Sequence, residues 1–230
     1  MNLNERILNE LYHIMHRGEK VTLLNFYKGF PVTCKAFIVE IRDNSIIIKA
    51  EPPGSVCLHP DGMTWLLSSE PLEAIRGKVA AFDICSGRVE LRELTYIDTH
   101  LGKRMSARVA PRNPLTVRIQ GEGLEAKEKL ADISIDGVGV YAASSDGEAL
   151  KLNDSIRLTI ELPIGEITLP GKIRNISPAG DKVRFSIAFT ENVPEKSVIL
   201  RYIADRRMEL SEEIQTLYER IYREQCLKIS

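Results

Sequence analysis

PLTVRIQGEGLEAKEKLADISIDGVGVYAA, residues 114–143, divides into three strand-length segments, PLTVRIQG, EAKEKLADIS and GVGVYAA. QGEG punctuates the first pair, with the turn chemistry expected of a hairpin. Downstream, SIRLTIELP, EITLPGKIRN and KVRFSIAFT continue the rhythm, separated by SSDG, PIG and SPAG. About six short strands with turns between them predict an antiparallel barrel or sandwich.

The same rhythm runs upstream, with different residues. VTLLNF, PVTCKAFIVEIR, SIIIKA, MTWLLS, RGKVAAFDI and GRVELREL are punctuated by RDNS, PPGS and HPDG. Helical patterns flank the two β regions. Over residues 3–17, Ile7, Leu11, Ile14 and Met15 share a face, and Gly18 follows as a stop. Near the C-terminus, Asn192, Pro194 and Glu195 read as a helix start. Ile203, Leu210, Ile214, Leu217 and Ile221 then form a seam interrupted by Arg207. The seam is open to two readings: packing on the chain's own barrel, or pairing in a homodimer through the C-terminal helix. The fold expected is mainly all-β, two small antiparallel β-barrels in tandem with an N-terminal and a C-terminal helix. The boundaries expected are 1–98, 99–205 and, for the C-terminal helix, 206–230.

The 230 residues hold 43% hydrophobic and 27% charged side chains, a composition that excludes a disordered chain. Thirty-one Lys and Arg oppose 32 Asp and Glu, so the chain lacks the overall basic charge usual in a constitutive nucleic-acid binder. No apolar run has the length of a membrane span, and MNLNERILNE has no signal-peptide core, so membrane insertion is not expected and a cytoplasmic location is. Cys34, Cys57, Cys85 and Cys226 have no metal-clamp spacing and read as buried reduced thiols. His13 and His16, three apart on the first helix, read as surface histidines rather than metal ligands. Neither a phosphate-binding GxxxxGK[ST] loop, a GxSxG elbow nor HExxH occurs, so an enzyme is not expected.

One local asymmetry stands out. Lys103, Arg104, Arg108, Arg112 and Arg118 lie in a stretch with no acid among them. Within it is RMSAR, Arg104-x-x-x-Arg108, and further on is DISIDG, Asp132-x-Ser134-x-x-Gly137. A guanidinium fork matches the paired O6 and N7 acceptors of guanine, as well as phosphate oxygens, and its plane stacks on purines. Asp132 offers acceptors for a guanine N1–H and amino group, or orients an arginine. Ser134 offers a hydroxyl. Gly137 allows close backbone approach, or a positive φ at the turn. Each residue alone is equally readable as a local Asx turn or a strand bulge.

Together, in this order and strand context, the two motifs resemble the PilZ domain over about residues 100–205. The resemblance implies a receptor for cyclic di-GMP, with Arg104, Arg108, Asp132, Ser134 and Gly137 at the ligand and no further cofactor. Arg108-x-x-x-Arg112 also fits the spacing, but only the Arg104 register has an apolar residue, Val109, directly after its second Arg. By resemblance, the residue before the first Arg influences whether one ligand or a stacked pair binds. Here it is Lys103, whose charge favours a pair and whose lack of a planar fork favours one; the expectation is two per chain. The upstream barrel looks like the domain preceding PilZ in flagellar-brake-type proteins, on domain order and strand rhythm. That implies ligand capture coupled to interdomain rearrangement, and a protein partner controlling motility, adhesion or exopolysaccharide. The rival readings are a single-strand nucleic-acid-binding barrel protein, disfavoured by 6% aromatic content, and an adaptor that no longer binds ligand. The arm around 99–112 has no periodic apolar face and is expected to move until ligand orders it.

Overall fold

Alternating burial along short strands closes two separate six-stranded barrels. The computed structural model describes residues 3–68, 74–97, 108–121, 124–143, 150–190 and 194–227. The chain divides into two compact units. One comprises residues 1–27, 31–104 and 210–230, and the other residues 28–30 and 105–209.

In the first unit, helix α1 (Leu3–His16) precedes strands β1 (Lys20–Tyr27), β2 (Phe30–Arg42), β3 (Ser45–Ala50), β4 (Met63–Leu67), β5 (Ile75–Asp83) and β6 (Arg88–Tyr96). Their order around the barrel is β1-β2-β3-β6-β5-β4, closed by β1 against β4. The predicted helix face is the one that is buried. Ile7, Leu11 and Ile14 are at most 1% exposed and join a core with Leu23, Ile46, Ile48, Ile75, Val89 and Leu91. Gly18, at φ 64°, ends α1 in the left-handed conformation that glycine adopts without penalty. Tyr12 and His16 pack ring to ring at 4.1 Å, and among the described residues no group of three or more His, Cys, Asp or Glu could hold a metal.

The second barrel is built from β7 (Thr116–Gly121), β8 (Leu124–Ser134), β9 (Gly137–Ala143), β10 (Ser155–Leu162), β11 (Gly165–Ala179) and β12 (Lys182–Phe189). Its order is β10-β11-β12-β9-β8-β7, closed by β10 against β7. Val117, Ile119, Ile133, Val138, Val140, Leu158, Ile160, Leu169, Ile173 and Phe185 are fully buried within it. The expected turn at SPAG falls slightly later: β11 runs to Ala179, and Gly180, at φ 68°, makes the turn into β12.

Helix α2 (Lys196–Cys226) follows. Ile203, Leu210 and Ile214 of the predicted seam are buried within the single chain. Arg207, the interruption, places its guanidinium 5.4 Å from the centre of the Phe30 ring. Among the described residues no helix is long and apolar enough to cross a membrane.

Two of the four cysteines are not the reduced thiols expected. Cys85, in the turn between β5 and β6, forms a disulfide with Cys226 at the end of α2, with Cα atoms 5.4 Å apart. Separation along the chain, 141 residues, concealed this pair from any reading of local spacing. Cys34 and Cys57 are the buried free thiols expected of all four, and burial pushes them up to about 12 and about 11.

Candidate ligand site on the second barrel

Leu130, Asp132 and Ser134 alternate in the sequence and would share one face of an undistorted strand. That would drive a carboxylate into the barrel with Leu130. A β-bulge between Leu130 and Asp132 prevents it: Leu130 pairs with Val140, and Asp132 with Gly139. The extra residue reverses the alternation, so Ile133 is fully buried and Asp132 turns outward.

Arg108 meets Asp132 there. Its Nη1 donates to Oδ1 at 2.9 Å, joining the second Arg of RMSAR to the Asp of DISIDG across 24 residues. The segment following Arg108 is fixed in place. Val109 is fully buried and bridges Ile133, each backbone N–H donating to the other's carbonyl at 3.0 Å. The Ala110 N–H donates to the Lys28 carbonyl at 3.4 Å. Buried Arg206 of α2 donates from Nε to the Ala110 carbonyl at 3.0 Å and from Nη1 to Glu209 at 2.8 Å. The arm expected to move is thus anchored at Val109 and Ala110; residues 98–107 lie outside the described residues, Lys103 and Arg104 among them. Arg112 is exposed in a bend.

Ser134 is 2% exposed, and its hydroxyl donates to the Gly137 carbonyl at 3.2 Å. It therefore braces the β8–β9 turn. Gly137 does not adopt a positive φ; it is confined because an added Cβ would run into the Ile187 carbonyl of β12. The four described candidates lie together on one stretch of barrel wall: Arg108 and Asp132 as an ion pair, Ser134 and Gly137 as the adjoining turn.

A further arginine stands in this constellation. Arg184 of β12 pairs through Nη2 with Asp132 Oδ2 and donates from Nη1 to the Ser186 hydroxyl at 3.3 Å. Each carboxylate oxygen of Asp132 thus serves a different guanidinium. Arg184 lay outside both motifs. The alternation of VRFSIAF, with Phe185 and Ile187 buried, puts Arg184 on the outer face, but only the β9–β12 and β8–β9 pairings bring it beside Asp132. Two guanidiniums against one carboxylate leave this trio net positive, with planar donors on a barrel wall. Such an arrangement can take an anion carrying flat acceptor edges.

Residues 102–205 match the PilZ domain family model. An uncharacterised protein of Aquifex aeolicus (strain VF5) is 27% identical over 125 residues; the match spans 54% of this chain and 59% of that protein, less than two thirds of its length. Among solved structures, the c-di-GMP complex of MrkH from K. pneumonia aligns over 91% of this chain and 96% of its own, with 13% identity and a TM-score of 0.50, a likeness of fold. Bacillus subtilis inhibitor of motility (MotI/DgrA) aligns over 84% of this chain and 97% of its own, with 22% identity and a TM-score of 0.42. Escherichia coli YcgR in complex with c-di-GMP aligns over 93% and 95%, with 12% identity and a TM-score of 0.47. The matched segment, 102–205, contains both the arginine and the aspartate motifs and the barrel on which Arg108 meets Asp132, and it is this segment that is similar to the PilZ domain family.

Proposed function

We propose that this protein is a receptor for cyclic di-GMP, held on the outer face of the second barrel. The observation carrying this reading is the Arg108–Asp132 pair, which unites two motifs distant in sequence on one face. In this reading Arg104 and Arg108 clasp guanine edges and phosphates from the arm, with Lys103 adding charge. Asp132 fixes Arg108 or accepts from the guanine N1–H and amino group. Ser134 and Gly137 shape the wall under the ligand. The proposed PilZ unit extends over 99–205, following a barrel unit at 1–98.

The output of such a receptor is a protein partner. The path we favour runs from the arm through Ala110 to Arg206 on α2, since a pull on Arg108 acts two residues from a carbonyl held by that helix. The partner, a role in motility, adhesion or exopolysaccharide control, and a cytoplasmic location belong to this proposal.

Calorimetric titration with cyclic di-GMP, cyclic di-AMP, GTP and a short single-stranded oligonucleotide tests the reading. Cyclic di-GMP is expected to bind at micromolar affinity or tighter, about −8 kcal/mol. Adenine sets an amino donor where guanine has O6, so cyclic di-AMP should bind far more weakly. Preference for the oligonucleotide favours the nucleic-acid reading, and silence with every ligand favours an adaptor.

A further inference from the structure

Among the described residues, the Arg184 guanidinium, which carries five donors, gives one to Asp132 and one to Ser186. Its side chain is about one quarter exposed, and that of Asp132 about one fifth. The group is therefore oriented yet still reachable. Its position depends on an absent side chain. A Cβ on Gly139 would lie 2.5 Å from Arg184 Nη2 and 2.9 Å from Asp132 Oδ2, so glycine leaves the space in which the guanidinium meets the carboxylate. Gly139 pairs with both Asp132 on β8 and Ser186 on β12, so this space lies midway across three strands.

The contrast with Arg108 is one of mounting. Arg108 extends from the arm, whereas Arg184 stands in the middle of β12, paired on both sides by β9 and β11. Asp132 aligns the two by giving each one oxygen. A planar cation held on rigid backbone loses little freedom on meeting a ligand.

We propose that Arg184 is a ligand-contacting residue of the cyclic di-GMP site, a fixed guanidinium on the barrel wall that shares Asp132 with Arg108, with Gly139 as its seat. This rests on the receptor reading above. Arg184 takes a guanine edge or phosphate from the wall side while Arg104 and Arg108 take the ligand from the arm side. The site then reads its ligand with arginines from three places in the chain, only one pair of which lies in a contiguous motif.

The test is titration of the full chain with cyclic di-GMP, comparing wild type with Arg184→Ala, Arg184→Lys, Gly139→Ala, Asp132→Ala and the double variant Arg184→Ala/Asp132→Ala, with thermal melts confirming that each is folded. Arg184→Ala and Gly139→Ala should weaken binding at least tenfold. Arg184→Lys keeps charge but loses the fork, and should not restore wild-type affinity. The double variant separates contact from support: if Arg184 touches the ligand, its removal still weakens binding at least fivefold when Asp132 is already alanine. Loss of the effect in that background reduces Arg184 to a support for Asp132 and overturns the proposal, as does unchanged or tighter binding by Arg184→Ala. Wild type that fails to bind cyclic di-GMP overturns the receptor reading itself, a result distinct from wild-type binding that is indifferent to Arg184.

Discussion

Arg206 of α2 and Ala110 of the arm are joined by a hydrogen bond from guanidinium Nε to backbone carbonyl at 3.0 Å, although 96 residues separate them. Arg206 is 2% exposed, so the bond is made away from water by a charged donor. It links the backbone just past Arg108 to a helix, on the opposite side of Val109 from the Asp132 pair. Replacing Arg206 with Met retains much of the aliphatic bulk and removes the bond, at about 1.5–3 kcal/mol of stability. Hydrogen exchange should accelerate at residues 108–112 while the β9–β12 ladder stays protected. Unchanged exchange at Val109 and Ala110 would show that the bridge to Ile133 suffices to hold the segment.

The arginine series separates the two possible motif registers. Arg108→Ala removes the ion pair with Asp132 and, in the proposed site, a ligand contact, costing about 2–4 kcal/mol of binding. Arg104→Ala should cost a similar amount. Arg112 is exposed, and its loss should cost under about 1 kcal/mol, as for a screened surface cation. Titrations of the three variants decide, and Arg112 proving the most sensitive would reverse the register.

Gly137 differs from the candidate ligand residues around it. Alanine there collides with the Ile187 carbonyl, which is backbone in a paired strand and has little room to yield. Gly137→Ala is therefore expected to lower the thermal midpoint by the equivalent of about 1–3 kcal/mol whether or not ligand is present. A full loss of binding without any loss of stability would show instead that ligand, not β12, requires the glycine.

Thiol chemistry should divide the cysteines into pairs. In the folded, oxidised protein an alkylating reagent at pH 8 should label none quickly, because burial holds Cys34 and Cys57 at about 12 and about 11, in their unreactive thiol form, and Cys85 and Cys226 are bonded. Reduction should expose Cys85 and Cys226 to rapid labelling and leave Cys34 and Cys57 protected until denaturant is added. Mass spectrometry of labelled peptides distinguishes these outcomes. Reduction should also lower the melting temperature, because a loop so long contributes up to about 5 kcal/mol of stability through chain entropy, and Cys226→Ser should abolish the response to reductant.

Strand rhythm and turn chemistry made the two barrels legible before any coordinates, because short alternating segments admit few other packings. The Arg108–Asp132 meeting was legible for another reason: two spaced motifs resembled those of one family. What escaped reading depends on register. The bulge that turns Asp132 outward is an inserted residue, Ala131, with no signature of its own, and Arg184 reaches Asp132 from 52 positions away through two strand pairings. Ser134 and Gly137 were legible as neighbours, but their bracing of the turn and of β12 required the packed strand.

The Cys85–Cys226 bond also changes what a cut in the backbone means. It closes a covalent ring containing every residue from Ser86 to Gln225, and therefore the entire segment, 102–205, that matches the PilZ family. One proteolytic nick anywhere in that ring, the stretch between the barrels included, leaves a single molecule of unchanged mass apart from one added water. The two pieces part only on reduction. A digest would thus run as an intact band without reductant and as two fragments with it, so the state of one sulfur pair governs whether damage to the connecting chain separates one barrel from the other.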